Sequence, residues 1–165
     1  NGLEWLWVLG GSNGKKIKML TDIGTWVVVP CSELQWLGHE VVKSTWAFWL
    51  KRKPDGLAYK CKARFCVCGD TQVEGIDYDP NNHAPVAQWS SVWLMLILSI
   101  VHSLHTHQVD YVNAFAQAEL SKDVFVEPLQ GFQHMNDVDC LFKLNKSLHG
   151  MRDAPVHFLT SWRRT

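Results

Sequence analysis

The strongest local constraint in this sequence is a turn with an alternating run on either side of it. Trp46, Phe48 and Leu50 alternate with Ala47 and Trp49, the period of two that a strand imposes on its two faces. Pro54-Asp55-Gly56 follows. Proline presets φ, aspartate caps the turn through its carboxylate, and glycine supplies a positive φ. The returning run puts Lys60, Lys62 and Arg64 on one face, with Cys61, Ala63 and Phe65 on the other. A β-hairpin with one basic face is therefore predicted. Taken alone, such a stripe is as readily a solvated strand face as a binding surface.

Around the hairpin the chain reads as a mixture of helices and strands. Residues 1–14 carry two Gly-rich turns, Gly10-Gly11 and Asn13-Gly14, and give no clear element. A short helix is predicted over Lys15–Asp22, ending at Gly24, and a strand over Thr25–Val29, closed by Pro30. After a loop holding Gly69, Gly75, Pro80 and Pro85, Trp89, Val92, Trp93, Leu96, Ile97 and Ile100 follow helical spacing. Leu94, Met95 and Leu98 fill the other side, so a helix buried nearly all round is expected. A strand over Thr106–Tyr111 would put Asp110 near its end. Further strands are expected over Val124–Glu127 and Leu141–Leu144, and a helix from Ala154-Pro155, with proline in its first turn. The fold class is α+β, an antiparallel sheet with packed helices.

Bulk properties narrow the field less. A chain of 165 residues suits one domain, or one and a fraction. Sixteen basic and sixteen acidic residues cancel, but unevenly along the chain. From Lys43 to Arg64 there are seven bases and one acid; from His105 to Cys140, six acids and one base. That order suits a protein that grips a polyanion and then holds metal ions. Five cysteines with no signal peptide ahead of them argue for a reducing, intracellular setting. Neither the Cys61, Cys66, Cys68 group nor the His102, His105, His107 group has a known zinc spacing. The apolar run Val92–Val101, broken by Ser99, falls short of the roughly 20 residues of a membrane span. The first residue is not Met and the end is abrupt, which points to a fragment.

Asp110 is the first candidate for chemistry. A carboxylate at a strand end among bulky apolar neighbours must be paired, hydrogen-bonded or metal-bound to stay ionised. A lone aspartate is otherwise a helix cap or a surface acid. Its surroundings change that weighting. The run Gln108-Val109-Asp110-Tyr111-Val112-Asn113-Ala114-Phe115 resembles the first catalytic motif of copia-type LTR-retrotransposon reverse transcriptases, Gln-x-Asp-Val-x-x-Ala-Phe. Further islands resemble that family in its order. They are Thr25-Trp26 with Val29-Pro30, Trp46-Ala47-Phe48, Lys53-Pro54-Asp55-Gly56, Tyr59-Lys60-Cys61-Lys62-Ala63-Arg64, and Gly75-Ile76-Asp77-Tyr78 with Ala84-Pro85-Val86. Gly131-Phe132 and Lys146-Ser147-Leu148-His149-Gly150-Met151-Arg152-Asp153-Ala154-Pro155 complete the set. Each island is weak alone; the ordered set is strong.

The resemblance implies an incomplete right-hand polymerase, with residues 15–165 as the N-terminal part of the reverse transcriptase domain. Fingers would cover about 15–87 and a partial palm about 88–165. It implies two-metal phosphoryl transfer with Mg²⁺, Asp110 as catalytic carboxylate, and Asp110 with the Tyr111 carbonyl as metal ligands. Lys62 and Arg64 would meet the triphosphate of a dNTP. Tyr111 and Phe115 would border the nucleotide, with Phe115 against its sugar, although a core aromatic is a competing reading of Phe115. Gly150, Ala154 and Pro155 would lie beside the template-primer. The implied partners are a template-primer, dNTPs, an upstream integrase and a downstream RNase H, in the virus-like particle of a cytoplasmic element.

Departures qualify this. The family's Tyr-Val-Asp-Asp motif is expected beyond Thr165, and no Asp-Asp pair occurs here, so this chain alone is not expected to polymerise. Cys68, Ala118, Asp153 and Val156 replace usual family residues, as in a drifted copy. The alternatives are a non-catalytic nucleic-acid-binding remnant that uses the basic hairpin, and a relic without a stable fold. The polymerase reading leans on Asp110 being aimed, by a palm-like sheet, at the groove lined by that hairpin.

Overall fold

A computed structural model describes residues 14–33, 40–128 and 140–162. The segment 1–13, Trp36 and the Gly131-Phe132 pair lie outside the described residues. Residues 14–22 form helix α1, closed where Gly24 and Thr25 donate their N–H groups to the carbonyls of Thr21 and Leu20. Strand β1 (Trp26–Pro30) follows at once. The predicted hairpin is present as β2 (Ser44–Arg52) and β3 (Ala58–Val67), antiparallel in register Trp46↔Phe65 and Trp49↔Lys62. Its turn works as its residues dictate: the Asp55 carboxylate accepts the Leu57 N–H at 2.9 Å, and Gly56 sits at φ +82°.

Helix α2 (Trp89–Val101) comes next, then strands β4 (Glu119–Val126) and β5 (Cys140–Lys146) and helix α3 (Ala154–Trp162). β1, β5 and β4 form a three-stranded antiparallel sheet in that order. Pro30, which has no N–H to give, stands on an edge strand and is tolerated there. Val124, Phe125 and Val126 are buried in succession because both faces of the sheet are covered at that point. Val124 and Val126 join the main core, while Phe125 packs with Leu141 on the other side. The fold class is thus α+β with antiparallel sheets, as the sequence implied.

One aromatic cluster joins the sheet to the hairpin. The Trp26 ring stacks on Phe142 at 5.0 Å and meets Phe65 of β3 at 5.5 Å. Trp46 closes on Phe65 edge-on at 5.9 Å. Such ring pairs contribute roughly 0.5–1.5 kcal/mol each beyond their buried area. Backbone contacts reinforce the join: Val67 donates to the carbonyl of His149, and Val42 to that of Phe125, both at 2.8 Å.

Two expectations fail. Helix α2 is not buried: Trp89 is 77% and Ile100 80% exposed, and of its side chains only Ser99 is buried. Helical spacing reports that a helix can form, and apolar residues all round report that it needs cover. Neither supplies the cover, and among the described residues no strand or helix packs closely along it. The strand expected over Thr106–Tyr111 is likewise absent; residues 104–111 are exposed and without regular structure. A strand needs a neighbour to take its N–H and C=O groups, and alternation of side chains cannot provide one.

Two predictions follow from the packing. Gly150 lies at φ +89°, and a Cβ there would stand 2.1 Å from the Val67 carbonyl oxygen. Gly150→Ala should therefore destabilise by about 2–3 kcal/mol in urea unfolding; a neutral effect would show that the loop can move away. Replacing Trp89, Trp93, Ile97 and Ile100 together by Gln should cut the fluorescence of the apolar dye ANS severalfold. Each change should shift unfolding by no more than about 0.5 kcal/mol, whereas a large loss of stability would mean the helix is covered.

Candidate anion-binding groove

The outer face of β3 becomes one wall of a groove of about 600 Å³. Alternation does the work. Ala63, Phe65 and Val67 turn into the core, so Lys60, Lys62 and Arg64 must turn out. Helix α1 supplies Lys15 and Lys16 from its first turn, and the segment 111–115 supplies Tyr111, Asn113 and Phe115. His149 lines it as well. Five of the lining residues are cations and none is an acid. Like charges held around one concavity repel one another until an anion enters it.

The aromatic side of the groove is braced from behind. Phe115 belongs to the short 3₁₀ turn Ala114–Gln117 and is half-buried. His149 meets its ring edge-on at 5.0 Å, and Phe158 of α3 meets it at 6.3 Å. Tyr111 also contacts Phe158, at 5.5 Å. Asn113 enters the turn at φ 52°, ψ 47°, a left-handed conformation that asparagine tolerates better than most residues. The Lys16 ammonium donates to its Oδ1, and its amide Nδ2 approaches the Met19 sulfur at 3.1 Å.

Burial and charge set the titration of the groove. Burial lowers the Lys16 pKa below its usual 10.5, and the nearby Arg64 guanidinium lowers it further. Burial likewise lowers His149 from 6.5, helped by Lys16 and Arg64. Burial pushes the Cys66 thiol above 9.0, the setting of an inert rather than a nucleophilic cysteine.

The structure gathers some expected residues and separates others. Lys62, Arg64, Tyr111 and Phe115 share the groove. Asp110 does not line it; this carboxylate is exposed, on the irregular segment before Tyr111, so the expectation that a palm-like sheet aims it at the hairpin's groove is not met. Gly150 is pressed against the Val67 backbone, and Ala154 is buried in the core beside half-buried Pro155. Asp153 pairs with His157 one helical turn on, at 2.9 Å. Among the described residues no three His, Cys, Asp or Glu side chains are placed to hold a metal ion. Lys16, Asn113 and His149 were not singled out by sequence reading. The signals available were the Lys15-Lys16 pair at a helix start and a histidine inside the Leu148–Pro155 island.

The His149 shift has a measurable consequence. Above pH 6.5 the imidazole is neutral in both folded and unfolded chains. As the pH falls below 6.5 the unfolded chain takes up the proton first, so stability declines until the pH passes the lowered folded value. His149→Gln should flatten the stability profile over that interval. An unchanged slope would assign the effect to another group.

Similarity to known proteins gives the family of the chain. Residues 25–165 match the family model described as reverse transcriptase (RNA-dependent DNA polymerase). The chain is 31% identical over 141 residues to the retrovirus-related Pol polyprotein from transposon TNT 1-94 of Nicotiana tabacum, covering 86% of this chain and 10% of that protein. It is 31% identical over 143 residues to the polyprotein from transposon RE1 of Arabidopsis thaliana, covering 86% and 9%. Against the Ty1-BL Gag-Pol polyprotein of Saccharomyces cerevisiae identity is 26% over 145 residues, covering 87% and 8%. The chain thus spans about a tenth of the length of these relatives. No solved structure matches it. With more than four-fifths of its residues inside one family model, the chain belongs to the reverse transcriptase family of copia-type retrotransposon Pol polyproteins.

Proposed function

We propose that the groove is the nucleotide site of an RNA-directed DNA polymerase domain, with residues 15–87 as its fingers and 88–165 as part of its palm in a right-hand architecture. Lys62 and Arg64 take the triphosphate, Lys as a mobile point charge and Arg through its planar fork. Phe115 and Tyr111 border the sugar. Gly150 and Pro155 lie beside the template-primer, and buried Ala154 supports the start of α3 from behind them. Integrase and RNase H segments of a parent polyprotein would be its neighbours. The observation that carries the reading is the cationic groove itself: five bases and no lining acid, in a chain of this family.

The catalytic step is less complete. Mg²⁺ requires near-octahedral oxygen coordination, and two such ions would stabilise the attacking and leaving oxygens. Asp110 and the Tyr111 carbonyl are the proposed ligands. The described residues offer no cluster of carboxylates with them, so they do not by themselves form that site.

One observation favours a second, non-catalytic reading. Trp49 and Tyr59, 69% and 54% exposed, stand on the hairpin among Lys51, Arg52 and Lys60. Aromatic faces between basic side chains suit single-stranded nucleic acid without sequence preference.

The two readings separate by titration. Calorimetry with dTTP should give an affinity that weakens with salt, and Lys62→Gln with Arg64→Gln should weaken it by about tenfold or more per cation. If the double variant binds dTTP as the parent does, while Trp49→Ala abolishes oligonucleotide binding, the hairpin is a nucleic-acid surface only.

A further inference from the structure

We propose that Lys16 of helix α1 is a third phosphate ligand of the groove, held there by Asn113. The proposal rests on the nucleotide-site reading above and extends it to a helix that sequence reading left without a role.

Three observations converge. Lys16 lines the groove together with Lys62 and Arg64, although it enters from a different element. Its ammonium is tied down: it donates to the Oδ1 of Asn113, a residue 97 positions away. A lysine that merely decorated a surface would extend into water, where its charge is best solvated. This one is half-buried and close enough to Arg64 for the two charges to lower its proton affinity. The groups facing it are Arg64 and Cys66 from β3 and His149 from the turn before α3, and no carboxylate lines the groove to balance them. Its partner on Asn113 is a neutral amide oxygen, which orients the ammonium without cancelling its charge.

A cation placed in this way is unfavourable in the empty protein and favourable once a polyanion arrives. The Asn113 amide accepts one of the three ammonium protons and leaves two for phosphate oxygens. The same contact fixes the left-handed turn that carries Ala114 and Phe115. Helix α1 is thereby linked to the segment bordering the sugar, and charge and shape are set together.

The test uses inorganic tripolyphosphate, which has no sugar or base, with calorimetry on the full chain. Lys16→Gln should bind roughly tenfold more weakly than the parent, and Lys16→Arg should recover most of the loss. Saturating tripolyphosphate should also protect Lys16 of the unaltered protein from amine acylation, read by peptide mass spectrometry; this arm needs no variant to fold. If the Lys62→Gln, Arg64→Gln variant loses binding while Lys16→Gln matches the parent and Lys16 acylates at the same rate with and without the anion, Lys16 is structural and this proposal is wrong, with the groove reading intact. If the parent itself does not bind tripolyphosphate, or binds it independently of Lys62 and Arg64, the groove reading fails and takes this inference with it.

Discussion

The Trp26 indole lies between Phe142 of its own sheet and Phe65 of the hairpin, and the aim of the basic strand at the groove depends on that contact. The hairpin's inner residues Phe65 and Val67 lie in one core cluster with Trp26, Phe142 and Leu148. Once Phe65 is seated, the pleat leaves β3 no freedom: residues 60, 62 and 64 must project from the opposite face. A slip of one residue would bury Arg64 and expose Phe65. The core thus sets the register, and the register aims the charges.

The far wall is set by a different device. Val67 donates its N–H to the His149 carbonyl, and the Gly150 backbone lies against Val67 so closely that only glycine fits. This places His149 beside Phe115 and brings the turn before α3 within reach of the basic strand. Gly69 has a similar relation, since a Cβ there would stand 2.2 Å from the Gly150 carbonyl oxygen. Two glycines eighty-one positions apart therefore make one close crossing of backbones. The glycine that family resemblance assigned to the template-primer first serves to join the hairpin and the turn before α3.

What could be read from the sequence was what is decided locally. The hairpin was legible because Pro54, Asp55 and Gly56 specify a turn and the flanking residues alternate. β1, β5 and the start of α3 were legible to within a few residues, whereas β4 was legible only in its second half, since it begins at Glu119 and not at Val124. Helix α2 was legible as a helix but not as an exposed one, because burial belongs to the partner and not to the segment. The run Thr106–Tyr111 alternates well enough for a strand, yet among the described residues nothing pairs with it. Asp110 was therefore identified by motif and mislocated by structure type. Lys16 and Asn113 were illegible for a plainer reason: no short-range pattern joins residues 97 positions apart.

A groove with five cations and no lining acid is an unfavourable thing to build. Its repulsion is tolerated because each charge sits on an element anchored elsewhere. α1 is held through Leu20, β3 through Phe65 and Val67, and the 111–115 segment through Phe115 and Phe158. Leu20, Phe65, Val67 and Phe158 all lie outside the groove lining, so its electrostatics can be unfavourable without unfolding it. Where desolvation and repulsion act together, as at Lys16 and His149, proton affinity falls. An entering polyanion reverses both effects at once: it supplies the missing opposite charge and replaces water as the hydrogen-bond acceptor. The apolar core and the charged groove are thus two halves of one arrangement, in which burial on one face of β3 makes possible the accumulation of charge on the other.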